Sequence, residues 1–166
     1  MKRSALAALV LVSIAGCDKD NPIDTCNTTY SYSNDVYGDS GLMLKSTKDE
    51  VAYISFAEME KVYRDVEMCV VNTKTPGPIV DYRDFKQMGL GGAWGIYAAG
   101  LGVFINTDEA NGVQRNCHSD RETLKHEFVH HILYMNGQDW KHSNPAFVQC
   151  DALGVGVCDG VACSND

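Results

Sequence analysis

His126-Glu127-Phe128-Val129-His130 is the stretch around which this chain is organised: two histidines stand four residues apart, and a glutamate directly follows the first. On an α-helix, residues four apart lie one above the other, so both imidazoles can reach one metal ion. Glu127 projects beside that face, where it can hold a water molecule rather than the metal. The chain contains five histidines, and three of them fall within six positions. The pattern therefore predicts a metal site on a helix.

The flanking sequence predicts the helix that this spacing needs. Ser119-Asp120-Arg121-Glu122 is a capping-box pattern that begins a helix, and Gly137 is typical of the residue that ends one. We therefore expect a helix from about Asp120 to Asn136, apolar on two faces and packed between layers of the fold. Histidines buried there need partners, and Zn²⁺ bound at the ring nitrogens supplies them. Core histidines satisfied without a metal are the alternative.

A catalytic zinc site uses three protein ligands and leaves one position open, so a third ligand must be found. No glutamate occurs after Glu127. Leu133 and Asn136 stand where the longer H-E-x-x-H-x-x-G-x-x-H motif requires glycine and histidine. The remaining candidates are His131, Asp139, His142, Asp151 and Asp159.

Among these candidates, His131 points about 100° away from His130 around the helix and cannot easily join the same metal. His142 lies beyond Gly137, where the chain can turn back towards the helix. We favour His142 as the third ligand. Asp139 is its main competitor, or an acceptor that orients one ligand by its second N–H group.

The segment His126-Glu127-x-x-His130 followed by His142-Ser143-Asn144-Pro145-Ala146-Phe147 resembles the zincin metallopeptidases of the SprT-like and related minimal types. In those families H-E-x-x-H is followed, after a short loop, by H-[GS]-x-x-F/W. The likeness covers roughly residues 119–150. It implies that His142 is the third zinc ligand and that Phe147 packs near the site. It also implies an α+β fold, in which a small mixed sheet packs on the central helix.

The resemblance implies a zinc metallopeptidase that cleaves peptide bonds with a zinc-activated water and uses Glu127 as general base. Candidates for stabilising the oxyanion are Tyr134, His131 and Arg115. A non-catalytic zinc-binding lipoprotein of the cell envelope is one alternative. An interaction domain with a degenerate, metal-free motif is the other.

The N-terminus is typical of an exported lipoprotein. Met1-Lys2-Arg3 precedes a short apolar run from Ala5 to Ala15. Ile14-Ala15-Gly16-Cys17 resembles a lipobox, which implies cleavage before Cys17 and acylation of that residue, for example with palmitate. We expect a signal peptide over residues 1–16. An ordinary signal peptide or a transmembrane stub is the alternative.

These features predict a protein of the bacterial cell envelope, anchored in a membrane by lipid and facing the periplasm or the exterior. Residues 17–29 are expected to be the acylated cysteine and a flexible spacer, and residues 30–166 one domain. Removing residues 1–16 takes Lys2 and Arg3 from the 14 basic residues and none of the 22 acidic ones, so the formal net charge falls from −8 to −10. Such a surface repels nucleic acid, so we expect no nucleic-acid partner. The zincin resemblance implies a peptide or protein substrate, and we expect a monomer.

Seven cysteines become six once Cys17 carries lipid, and an even number in an exported protein predicts up to three disulfides. We expect Cys117 to bond Cys150, because the two bracket the ligand-bearing stretch. Pairing of Cys150 with Cys158 or Cys163 is the alternative.

The remaining elements are expected from local patterns. A capping box at Ser55-Phe56-Ala57-Glu58 begins a helix, and Met68–Asn72 and Ile79–Tyr82 are predicted as strands. Trp94–Ala98 and Gly102–Asn106 form a predicted hairpin. We expect Gly102–Asn106 to border the cleft with an open edge that can bind an extended peptide, and a covered core strand is the alternative.

Overall fold

The computed structural model describes residues 28–47, 50–90, 92–107 and 115–152. Within them the chain has the mixed α+β fold expected from the sequence, with one mixed sheet and three helices. The predicted signal peptide, Cys17 and almost all of the predicted spacer lie outside the described residues. So do three cysteines and one candidate ligand: Cys26, Cys158, Cys163 and Asp159.

Five strands form the sheet: β1 (Val36–Tyr37), β2 (Met43–Leu44), β3 (Ile79–Arg83), β4 (Gly95–Ala98) and β5 (Gly102–Asn106). Their order is β1-β2-β3-β5-β4. The inner pairs β2–β3 and β3–β5 are parallel, while β1–β2 and β4–β5 are antiparallel. Among the described strands, β4 therefore forms one edge.

This order corrects the strand predicted to border the cleft. The segment Gly102–Asn106 is β5, which lies between β3 and β4 and has no open edge. All but one of its residues are buried, as expected of a strand that is paired on both sides. The edge belongs to its hairpin partner, β4.

Helix α1 (Phe56–Val70) begins where the sequence predicts. The hydroxyl of Ser55 accepts a hydrogen bond from the N–H group of Glu58 at 3.2 Å. The predicted strand Met68–Asn72 is wrong, because Met68 to Val70 form the last turn of this helix. The apolar spacing that starts at Met59 continues to the end of α1, and this longer helical pattern prevails over a five-residue strand pattern.

Helix α2 (Cys117–Met135) carries the H-E-x-x-H segment and begins three residues before the predicted start. Its cap is Asn116, whose Oδ1 accepts from the N–H of Ser119 at 3.0 Å, while Ser119 Oγ accepts from the N–H of Asn116 at 2.8 Å. Asparagine and serine are equally favourable N-cap residues, so the sequence is compatible with a helix capped by Asn116 as well as with one capped by Ser119. The helix ends before Gly137, which has a φ of 66°.

Helix α2 contacts α1 and also β4 and β5, so it is buried between two layers. Leu124, Phe128 and Ile132 are fully buried, and so are Val129 and Leu133. The ring of Tyr63 on α1 meets Phe128 edge to face at 5.2 Å. This burial on two faces positions the histidines of α2 close to the edge strand β4. No helix in the described ranges is both long and apolar enough to cross a membrane.

A disulfide joins Cys69, in the last turn of α1, to Cys150, directly after the short helix α3 (Ala146–Gln149). The predicted Cys117–Cys150 pairing is therefore wrong, and Cys117 is itself disulfide-bonded. Cys150 lies beside the middle of α2, because the neighbouring Asp151 carboxylate contacts Lys125 at 3.2 Å. Cys117 lies eight residues before Lys125, about 12 Å along the helix axis, and that distance is too great for a disulfide.

Candidate metal centre

Three imidazoles meet at the open side of α2. His126 and His130 lie one turn apart on the helix, and His142 returns to them from the loop that follows. Their Nε2 atoms are 3.2 Å apart for His126 and His130, 3.0 Å for His126 and His142, and 3.1 Å for His130 and His142. The structure thus brings the three predicted ligands into one cluster, which we call the histidine triad.

The second ring nitrogen of each helical histidine is held by a main-chain carbonyl. Nδ1 of His126 lies 2.8 Å from the carbonyl oxygen of Ala152, and Nδ1 of His130 lies 2.6 Å from that of Trp140. A carbonyl oxygen only accepts, so each Nδ1 carries the hydrogen and each Nε2 of a neutral ring presents a lone pair. Two lone pairs therefore face each other across 3.2 Å, an arrangement that a cation bound between them stabilises.

The spacing of the triad suits a metal ion. A metal at about 2.05 Å from three nitrogens with this separation makes N–metal–N angles of about 98°, close to the tetrahedral value of about 109°. His130 is buried, His126 is half-buried and His142 is exposed, so a fourth position is open towards solvent. Neutral imidazoles suit zinc, copper, iron and nickel. The donor set therefore fits a divalent transition metal with one free coordination position.

Burial keeps the helical ligands in the neutral form. It lowers the pKa of His126 to about 4, against a smaller opposing effect of the bond to Ala152. It lowers the pKa of His130 to about 3, and the neighbouring His126 lowers it further. Both rings are thus available as metal ligands at pH values where a solvent-exposed histidine is already protonated.

Phe147 packs against all three rings of the triad. Its ring centroid lies 5.1 Å from His126, 4.6 Å from His130 and 5.4 Å from His142. The side chain is fully buried. It therefore shields the rings on the side away from solvent and limits their rotation.

Glu127 directly follows His126, is buried and lies against Gly95 of β4. The N–H group of Tyr97 donates to its carboxylate. Burial raises the pKa of Glu127 to about 8, and this hydrogen bond opposes the increase. A nearby divalent cation favours the ionised form of such a carboxyl. Glu127 can therefore exchange a proton near neutral pH.

Gly95 provides the space that Glu127 occupies. A Cβ atom at this position would lie 2.9 Å from Oε1 of Glu127 and 2.5 Å from Cγ2 of Thr123. Contacts this short do not occur in folded proteins, so any other residue at position 95 would displace either the strand or the carboxylate. A glycine inside a strand is a known sequence sign of such a close approach, and this signal could have identified the contact.

The main chain of β4 has one side towards β5 and one side towards the triad. The carbonyls of Trp94 and Ala98 accept from the N–H groups of Asn106 and Leu101, each at 2.9 Å. Because the direction of hydrogen bonding alternates along a strand, the main-chain groups of Gly95 and Tyr97 point away from β5. The bond from Tyr97 to Glu127 is consistent with this alternation. The edge of β4 therefore runs beside Glu127.

The other ligand candidates on α2 and in the next loop have different partners. Nε2 of His131 lies 2.8 Å from the carbonyl of Pro76, away from the triad. Asp139 is exposed, and its Oδ1 accepts from the N–H of Lys141 at 3.2 Å. The acceptors that orient the two helical ligands are carbonyls rather than Asp139. Carbonyls carry no side-chain signal, so the sequence could not identify them.

Of the three candidates for stabilising an oxyanion, only Tyr134 lies beside the triad. Arg115 is buried at the start of α2, where it pairs with Asp120. His131 is held by Pro76. Tyr134 is 41% exposed, and its ring centroid lies 5.9 Å from Tyr97.

Comparison of this chain with family models, with curated proteins and with solved structures finds no match. The histidine triad and its surroundings are therefore the basis for assigning a function.

Proposed function

We propose that this protein is a zinc-dependent metallopeptidase with a minimal zincin-like site. One observation carries the proposal: three Nε2 atoms lie within 3.2 Å of one another beside a buried glutamate that follows the first histidine. His126, His130 and His142 would hold the ion. When bound, Zn²⁺ would polarise a carbonyl oxygen and lower the pKa of water to about 7.

Glu127 has the proton-transfer role in this proposal. The N–H group of Tyr97 holds its carboxylate at the edge of β4. There one carboxylate oxygen accepts a proton from the attacking water and later returns it to the nitrogen of the leaving amine. Burial raises the pKa of Glu127, and a cation in the triad would oppose that increase, so the two effects together favour a carboxyl that takes and returns a proton near neutral pH.

The edge of β4 would bind the substrate. An extended peptide can pair with the outward main-chain groups of Gly95 and with the carbonyl of Tyr97, whose N–H is held by Glu127, as an added strand pairs with an open sheet edge. That position brings its peptide bonds next to Glu127 and the triad. Recognition through the main chain favours an unstructured segment over a folded protein, since only an extended segment presents its N–H and C=O groups in this way.

A non-catalytic zinc-binding protein is the second candidate. Its supporting observation is that the triad is complete without Glu127, which is only 5% exposed. The Glu127→Gln variant separates the two functions. Glutamine keeps the size of the side chain and an oxygen that accepts from Tyr97, but it cannot take up a proton.

The test uses the protein from Asp18 onwards, loaded with zinc. We expect one zinc per chain in both the wild type and Glu127→Gln. Hydrolysis of an unfolded protein such as reduced casein should fall by about 10³-fold in the variant. His131→Ala is the matched control, because His131 lies on the same helix but outside the triad. Zinc binding without hydrolysis in the wild type would favour the second candidate, and a chain that binds no zinc would exclude both.

We also propose that the protein is anchored to the cell envelope by lipid at Cys17. The support is the Ile14-Ala15-Gly16-Cys17 segment that follows a short apolar run. Mass spectrometry of the membrane-extracted protein should find acyl groups on Cys17, and Cys17→Ser should lack them and lose membrane retention. Retention of an unacylated, normally processed protein would contradict the assignment.

A further inference from the structure

Two large aromatic side chains remain exposed beside the histidine triad. Tyr134 is 41% exposed and Trp140 is 38% exposed, and their ring centroids lie 6.5 Å apart. Both rings contact the buried ring of Tyr97, at 5.9 Å and 6.0 Å. We call Tyr134 and Trp140 the aromatic rim. Tyr97 forms its base.

The rim is continuous with the triad. The indole of Trp140 lies 5.9 Å from the ring of His130, and the carbonyl of the same residue accepts from Nδ1 of His130. Tyr134 follows His130 by one helical turn and therefore lies on the same face of α2. An apolar group that touched the rim would thus lie beside His130, one of the three residues of the triad.

The rim is held in place before any ligand arrives. Tyr134 stands on a 19-residue helix, and the main chain of Trp140 is fixed by its bond to His130. The loop that follows is braced by Asn144, whose Nδ2 donates to the carbonyl of Asp139 at 2.6 Å. Rigid aromatic side chains that are partly exposed are the groups that most often anchor a binding partner, because little side-chain freedom is lost on contact.

The neighbouring strand determines what kind of group would reach the rim. A peptide paired with Gly95 and Tyr97 of β4 sends alternate side chains to opposite faces of the sheet. The side chain of Tyr97 points to the face that packs on His130 and the rim. A substrate side chain on that face, next to the scissile bond, would lie against the exposed rings of the rim.

We propose that the aromatic rim is the subsite for an aromatic or long apolar side chain of the substrate, adjacent to the bond that is cleaved. This inference rests on the proposed peptidase function and specifies its substrate class. Edge-to-face contact with two rings and loss of water from both favour such a side chain over alanine or aspartate.

The test uses blocked, fluorogenic peptides that differ only at the residues flanking the cleaved bond, with phenylalanine, alanine or aspartate there. For the zinc-loaded wild type, we expect kcat/KM to be at least about 10-fold higher for the phenylalanine peptide than for the alanine peptide. Trp140→Ala and Tyr134→Ala should each reduce that ratio by about three- to tenfold. Tyr37→Ala is the control, because Tyr37 is a 72% exposed aromatic residue on β1, and it should leave the ratio unchanged.

An unchanged ratio in both rim variants would overturn the inference. So would an equal loss of activity towards all three peptides, since that result indicates a structural role for the rings. Zinc content is measured in each variant to separate loss of the ion from loss of the subsite.

If the wild type binds zinc but cleaves nothing, the peptidase function fails and the rim is tested by binding. The chain has two tryptophans, so Trp94→Phe leaves Trp140 as the single tryptophan, which can be excited selectively over the tyrosines. Tighter binding of the phenylalanine peptide than of the alanine peptide, reduced by adding Tyr134→Ala, would support the subsite without the reaction. Equal binding of the two peptides would refute it.

Discussion

The first turn and the middle of helix α2 place polar groups in opposite ways. In the first turn, the carboxylate of Asp120 accepts from the N–H of Tyr53 at 2.9 Å, from the hydroxyl of Tyr82 at 3.0 Å and from the guanidinium of Arg115. From the middle of the helix, His126 and His130 direct unprotonated nitrogens at each other. The carboxylate of the first cluster is satisfied by donors within the chain, whereas the second cluster presents lone pairs that a cation would satisfy.

This contrast separates a structural cluster from a ligand site on one element. Asp120 is 1% exposed, and its hydrogen bonds to Tyr82 and Tyr53 connect α2 to β3 and to the segment before α1. The triad is open at His142. Burial and polarity alone therefore do not distinguish a candidate metal site from a structural cluster, whereas the direction of the nitrogen lone pairs does.

The largest expected effect is on zinc binding at the histidine triad. His142→Ala should lower zinc affinity by at least about 1000-fold, well above the 10- to 100-fold that a lost supporting contact costs. Asp139→Ala is the matched control, because its carboxylate lies in the same loop and should change affinity less than about threefold. Competition with a chromophoric chelator measures both. Loss of zinc in Asp139→Ala with retention in His142→Ala would reverse the ligand assignment.

Substitutions in the Asp120–Arg115 pair should lower the stability of the fold rather than zinc affinity. Asp120→Asn leaves the Arg115 guanidinium buried without its partner charge, which should cost about 3–5 kcal/mol of unfolding free energy. Urea unfolding of the zinc-free protein checks the value. The double variant Asp120→Asn with Arg115→Met should be more stable than Asp120→Asn alone. Equal stability of the two variants would show that the ion pair does not stabilise the start of α2.

The Cys69–Cys150 disulfide should contribute both to the stability of the fold and to zinc affinity. Replacing both Cys69 and Cys150 with serine removes a link between positions 81 residues apart and should cost about 2–4 kcal/mol. Zinc affinity should also fall, by about 10-fold, because Cys150 lies between Phe147 and the Ala152 carbonyl that orients His126. Both cysteines are replaced together, because either single replacement would leave a reactive thiol. A loss of stability with unchanged zinc affinity would limit the bond to a structural role.

The smallest expected effect concerns the protonation of Glu127 in the zinc-free protein. Its pKa rises from 4.5 in an exposed state to about 8 in the fold, so the folded state keeps a proton that the unfolded state releases. The stabilisation is complete below about pH 4.5 and is lost as pH rises towards 8. Glu127→Gln has no such loss, so it should be more stable than the wild type by about 2 kcal/mol at pH 6 and nearly equal to it at pH 4.

Urea unfolding in the presence of a chelator gives this difference at each pH. Added zinc should reduce it, because a cation beside Glu127 favours the carboxylate. The same difference at pH 4 and pH 6 would show that the carboxyl of Glu127 does not titrate in this range.

Local sequence patterns predicted which helices and strands form more accurately than which of them lie side by side. The cap at Ser55 and the stop at Gly137 marked helix ends correctly, since a cap depends on a few consecutive residues. The predicted strand Met68–Asn72 was wrong because a longer helical pattern extended into it. Sequence identified the hairpin of β4 and β5, but not which of the two strands pairs with β3, since that depends on contacts between residues far apart in the chain.

The order of residues alone specifies the spacing of the two helical histidines and the place of Glu127 between them in the chain, and it predicted the helix that carries them. These features depend on the periods of helix and strand, which any short segment carries. Tertiary structure alone decided that His142 meets the helical pair, that Cys69 bonds Cys150 and that Tyr97 holds Glu127. Each of these contacts joins groups that are distant along the chain or belong to the main chain. The physical reason is that packing of α2 against β4 and α3 sets their separations, and no local pattern encodes a separation in space.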